Sequence, residues 1–163
     1  MTSSEVESYF AEYVLPPHGS IYCDIKREID LARGGDEGGC FLSALGLVSY
    51  TEFMGNVSLQ GDGSYTKQFK AFFRKMGEDY ARLVDDREID VYRVFRSGLV
   101  HSYLAKECEV KMLNDRNYPA GIIVNPNGSY LFVVEKYFED FVKACEELYR
   151  EFLVVGDVYL PSM

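Results

Sequence analysis

An arginine, a hydroxyl and an imidazole occur close together at Arg96-Ser97-Gly98-Leu99-Val100-His101. These types suit a phosphodiester. A guanidinium neutralises the phosphate, and an imidazole with an ordinary pKa of about 6.5 moves protons near neutral pH. On a helix turning by about 100° per residue, Arg96 falls among Ile89, Tyr92, Leu99, Val100 and Tyr103, the most apolar arc of its segment. His101 falls about 140° round from it, beside Asp90, Val94 and Ser97. Ser97 and His101 then share a face, toward which the long Arg96 side chain can curl. A guanidinium on an apolar arc needs a carboxylate inside the molecule, an exit through a groove, or an interface with a second subunit.

One carboxylate answers that need. Residues 40 to 56 read as a helix that is apolar on most sides, with Gly55 near its end as a C-terminal stop. Glu52 lies on the arc of Phe41, Leu45 and Val48, where an unpaired acid is costly. Glu52 and Arg96 are therefore natural partners in a structural ion pair, an alternative to a phosphate-binding role that can also coexist with it. His101, a single imidazole, has the matching alternative of a core or surface histidine. Lys67, Lys70 and Arg74 form a basic stripe on a different helix, read as a solvated face or as a surface that steers a phosphate.

The surrounding elements follow from punctuation and period. A short helix over 3–14 is closed by Leu15-Pro16-Pro17, and a second runs from about His18 to Arg33. Gly34-Gly35-Asp36-Glu37-Gly38-Gly39 is a turn without the basic residue of a phosphate-binding loop. Ser64 is a good N-cap for a helix from Tyr65 to Val84, whose inner arc carries Phe69, Phe72, Phe73, Met76, Tyr80 and Leu83. The helix bearing Arg96 is expected over 87–106, after the acidic pair Asp85-Asp86. The period then changes. Segments 109–113, 121–125 and 130–134 are rich in Val, Ile and aromatics, and Pro126-Asn127-Gly128 predicts a hairpin with room for a third strand. A last amphipathic helix is expected over 135–153. The economical architecture is mainly α, an antiparallel helical bundle with a small β-hairpin between the last two long helices.

The pattern Phe95-Arg96-Ser97-Gly98-Leu99-Val100-His101-Ser102-Tyr103 resembles the motif helix of the HEPN superfamily, an Arg followed by a polar residue with a His four to six positions further on. Leu47-Val48-Ser49-Tyr50-Thr51-Glu52-Phe53-Met54-Gly55 is similar to the earlier core helix of such domains. The likeness covers residues 18–106 well and the hairpin and last helix, 109–153, loosely. It implies a single HEPN-like helical unit that forms a homodimer, with two motif helices lining one cleft. It further implies a metal-independent endoribonuclease that uses the RNA 2′-hydroxyl as nucleophile and leaves a cyclic phosphate. Arg96 would then stabilise the pentavalent phosphate and His101 would act as acid or base. Ser97 would stand where the family more often has Asn, Asp or His. The same likeness admits a non-catalytic module that binds a partner protein or a nucleotide. A toxin–antitoxin pair or a defence system is the setting it suggests.

Composition narrows these classes. The chain has 163 residues, 47% hydrophobic and 26% charged, which fits one ordinary globular core. Its formal charge of −9 opposes a broad grip on nucleic acid, so any nucleic-acid site must be local. No run approaches the roughly 18 apolar residues of a membrane span, and the first residues do not read as a secretory signal, so a cytoplasmic protein away from membranes is expected. Cys23, Cys40, Cys108 and Cys145 are widely spaced and expected to be reduced. With only two histidines and no Cys-x-x-Cys pair, no metal or other cofactor is expected.

Overall fold

A computed structural model describes residues 2–34, 40–99, 108–112, 118–155, 158 and 160–161. The turn predicted at 35–39 lies outside these residues, as do the part of the motif helix from Val100 onward and His101 itself. The chain is mainly helical with a small three-stranded sheet. Helix α1 (Ser3–Tyr9) starts with a capping box. The Thr2 hydroxyl accepts from the Glu5 amide, and the Glu5 carboxylate accepts from the Thr2 amide. It continues as a π-helical turn, Phe10–Val14, before the prolines. Helices α2 (Ser20–Arg33) and α3 (Cys40–Ser58) follow, and α3 is the centre of the fold, packed on α2, on α4 (Tyr65–Lys75) and on the last helix.

The single long helix expected over 65–84 is two. Gly77 takes φ of 140°, a conformation that a side chain disfavours, and α5 (Glu78–Asp85) restarts with Glu78 and Asp79 against its N-terminal dipole. The apolar spacing runs through the break because both pieces present the same face to the core. Gly55 is also not a stop. The helix continues to Ser58, and at Gly55 the α4 backbone passes so close that a Cβ there would meet the Gln68 carbonyl.

Helix α6 (91–99) starts later than the acidic pair predicts. Asp86 folds back to accept from the Glu88 amide at 2.8 Å, a local bond that competes with helix. Asp90 makes the cap instead: its Oδ1 accepts from the Arg93 amide at 3.3 Å and its carbonyl from the Val94 amide at 2.9 Å.

Strands β1 (Cys108–Lys111), β2 (Ile122–Val124) and β3 (Tyr130–Val133) lie in the order β1-β3-β2. The predicted hairpin is β2 against β3, turning through Gly128 at φ 81°. The third strand runs parallel to β3. Helix α7 (Val134–Val155) leaves β3 directly and returns across α3.

A buried polar relay ties the sheet to the helices. Tyr80 donates to Asp140 Oδ2 at 2.7 Å and accepts the Gly121 amide at 2.8 Å, while Asp140 also holds Lys136. Thr51 spends its hydroxyl hydrogen on the Leu47 carbonyl at 2.8 Å, so Tyr137 is the donor in its own 2.8 Å bond to Thr51. Burial pushes the Tyr80, Tyr137 and Cys145 protons up from ordinary values of 10.0, 10.0 and 9.0. Above those values the unfolded chain releases protons that the native chain keeps, so stability is complete below about pH 9 and is lost as pH rises. Each such proton steepens the loss by about 1.4 kcal/mol per pH unit. The urea midpoint is expected to fall at alkaline pH, less steeply in Tyr80→Phe, which is itself weaker by about 1–3 kcal/mol at neutral pH. A flat alkaline profile is incompatible with these groups being buried as described.

Candidate functional site

The site is built where α3, α4 and α6 meet. Ser49, Glu52, Phe53 and Asn56 recur at three- and four-residue spacing and so form one stripe of α3. Across from them stand Gly63, Ser64 and Tyr65 at the start of α4, with Gln68 one turn in. Between the two walls is an open cleft of about 640 Å³. Ser64 caps α4 by accepting the Lys67 amide at 3.3 Å, which fixes Tyr65 as the first helical residue at the rim.

Helix α6 supplies the cation. Phe95 is fully buried, against Phe73 and Tyr130, and anchors the helix. Residues Tyr92–Ser97 form a π turn, with the Gly98 amide reaching back five residues to the Arg93 carbonyl. Such turns are rare and frequent at functional sites. They also change the angular step, so a constant helical wheel does not carry from Arg96 past Ser97. Ser97 is half-buried at the end of the turn. The predicted sharing of a face with His101 falls outside the described residues.

Arg96 meets Glu52. Its Nε lies 3.2 Å from Oε2, and Nη2 donates to Oε1 at 3.4 Å, with the two side chains 22% and 15% exposed. Close as it is, Nε is not aligned for a hydrogen bond, and it is buried without such a partner among the described residues. Tyr92 completes the group by donating to Glu52 Oε2 at 3.1 Å, its ring edge-on to Phe69. Burial first, then the bond to Glu52 and its negative charge, raises the Tyr92 pKa, so the phenol stays a donor. The arrangement is a guanidinium held in place by a carboxylate that itself lines an open cleft.

The basic stripe is not free charge. Lys67 pairs with Asp62 at 2.7 Å, Lys70 with Asp90 at 3.6 Å, and Arg74 with Asp85. Exposed pairs of this kind contribute little to stability and leave little net field to steer an anion. The four cysteines are free, and burial pushes the Cys108 thiol up to about 12, which makes it a poor nucleophile. Among the described residues no group of three or more His, Cys, Asp or Glu could hold a metal ion.

Sequence reasoning found Glu52 and Arg96 and missed Ser49, Asn56, Tyr65 and Gln68. Polar residues at three- and four-residue spacing on an otherwise apolar helix were the available signal for Ser49 and Asn56. Gln68 shares the buried side of α4 with Phe69, Phe72 and Phe73, and Tyr65 carries no sequence signal apart from its place after the cap. No family model, no curated protein and no solved structure matches the chain. Among the described residues, no helix is long and apolar enough to cross a membrane.

Proposed function

We propose that the chain is a HEPN-like bundle acting in the cytoplasm as a metal-independent endoribonuclease on single-stranded RNA, with the cleft completed by a second copy of the chain. The observation that supports this most is the Arg96 guanidinium, held by Glu52, a carboxylate that itself lines an open cleft. In the proposed step the RNA 2′-oxygen attacks phosphorus and the bond from phosphorus to the 5′-oxygen breaks. His101 takes the 2′-proton, and His101 of the second copy gives one to the leaving 5′-oxygen. The products are a 2′,3′-cyclic phosphate and a 5′-hydroxyl. Arg96 stabilises the extra negative charge on the phosphoryl oxygens, Ser97 donates a hydrogen bond, and Glu52 positions Arg96.

A specific observation favours a second reading, a non-catalytic module that binds a nucleotide or partner protein. Arg96, Lys67, Lys70 and Arg74 are each balanced by a carboxylate, in a chain of net charge −9. The test is purified protein with mixed RNA in EDTA, comparing wild type with His101→Ala, Arg96→Ala and Arg96→Lys. The nuclease reading expects cyclic-phosphate ends and a loss of roughly 100-fold or more in each variant. Equal cleavage by all four proteins means a contaminant and overturns it. Absence of cleavage in every sample moves the conclusion to the binding module.

A further inference from the structure

Building on that nuclease reading, we infer that the cleft beside Glu52 is a base-recognition subsite that selects a nucleobase bearing an exocyclic amine over uracil. The walls offer stacking: Phe53 is half-buried on one side, and Tyr65 stands 70% exposed on the other, a large ring with no packing role that explains its exposure. Sequence-tolerant stacking on such rings is how single strands are commonly held.

The polar lining has a fixed sense. The Gln68 Nε2 group has two hydrogens for three acceptors: Asn56 Oδ1 at 3.0 Å, and the Gly63 and Asp62 carbonyls at 3.2 and 3.4 Å, which share one hydrogen. Backbone carbonyls only accept, so the amide cannot be turned the other way. Asn56 must then present its oxygen to Gln68 and turn its own NH₂ away. Among the described residues nothing donates to Gln68 Oε1 and nothing accepts from Asn56 Nδ2, and neither atom is among those sealed from solvent. The cleft therefore offers one unpaired amide donor and one unpaired amide acceptor, with the Glu52 carboxylate alongside.

An acceptor beside a donor pairs with the amine and ring nitrogen of adenine or cytosine and equally with the N3–H and O4 of uracil, so the amide pair binds an edge and the discrimination comes from Glu52. A carboxylate also accepts from the amine and ring N–H of guanine. Uracil has no amine, and the one N–H it can bring to Glu52 is flanked by two carbonyl oxygens that the carboxylate repels. The carboxylate that weakens the cleft as a general phosphate trap is thus the group that favours amine-bearing bases.

The test titrates adenosine 3′-monophosphate and uridine 3′-monophosphate into the full-length protein while the Tyr65 and Asn56 amide resonances are followed by NMR. The adenosine nucleotide is expected to bind about tenfold more tightly or better. Tyr65→Ala, at an exposed position, should weaken both nucleotides by about tenfold. Asn56→Asp keeps the oxygen that Gln68 needs and adds a second carboxylate to the lining, so the ratio of the two affinities should widen further in favour of adenosine, and an unchanged ratio counts against the subsite. Charge repulsion would lower both affinities without moving their ratio. Equal binding of the two nucleotides to wild type, or no response at the cleft to either, overturns the subsite. Discrimination without RNA cleavage removes the nuclease reading and leaves the subsite standing. Arg96-dependent cleavage with no discrimination removes the subsite alone.

Discussion

Alanine at Gly55 is expected to unfold the protein or to lower its melting temperature by roughly 10 °C or more. A Cβ at this position would lie 1.8 Å from the Gln68 carbonyl oxygen and 2.3 Å from its carbonyl carbon. Both are backbone atoms of α4, so no rotamer relieves the clash and the two helices must part. Parting them loosens the α4 side that carries Phe69 and Phe72, both fully buried, in the most extensive helix–helix contact among the described residues. Ordinary overpacking costs about 1–3 kcal/mol, and a forced separation of backbones belongs in the tail above about 4. Against a total stability of about 5–15 kcal/mol, that loss is decisive. Gly46, in the same helix, is the control. There an added Cβ meets only the tip of Ile25, 2.7 Å away, which can rotate, and alanine gains about 1 kcal/mol of helix propensity. Gly46→Ala should stay within about 1 kcal/mol of wild type. Thermal unfolding of the two variants side by side makes the comparison, and equal behaviour would mean that α3 and α4 do not cross at Gly55.

The contrast between these glycines shows what the sequence could and could not say. A glycine near the end of an apolar run reads as a stop, because its use as a crossing point depends on a helix that has not yet been placed. The apolar helices α3 and α7, the hairpin at Asn127-Gly128 and the need of Glu52 for a cation were legible, since period, turn chemistry and the cost of a buried charge are local properties. The break at Gly77 was hidden because the apolar spacing continues through it. The cap at Asp90 was masked by a stronger-looking acidic pair just upstream, and the π turn at Tyr92–Ser97 has no sequence signature that a constant wheel can register. The direction of β1 and the far wall of the cleft are tertiary facts: Tyr65 and Gln68 face α3 only after the 59–64 connection has folded back.

Glu52→Gln is expected to weaken the fold and strengthen phosphate binding at once. The carboxylate holds Arg96 and accepts from Tyr92, and glutamine can keep the second bond while discarding the charge. Side-chain exposures of 22% and 15% put this pair between an exposed one, worth about 0–1 kcal/mol, and a sealed one, where removing a partner costs about 3–5. A loss of about 2 kcal/mol follows. Arg96→Met leaves Glu52 with Tyr92 alone and should cost a similar amount. In the double variant neither stranded charge remains, so the sum of the single losses should exceed the measured loss by about 1 kcal/mol or more. Additivity within about 0.5 kcal/mol in urea unfolding would show that the pair contributes nothing. The anion test separates positioning from stability. With its counter-charge gone, Arg96 should hold inorganic phosphate roughly tenfold more tightly, a difference of about 1.4 kcal/mol, despite the weaker fold. Unchanged phosphate affinity in a folded Glu52→Gln protein would mean that Arg96 serves the fold alone, and the nuclease reading would lose the residue on which it depends.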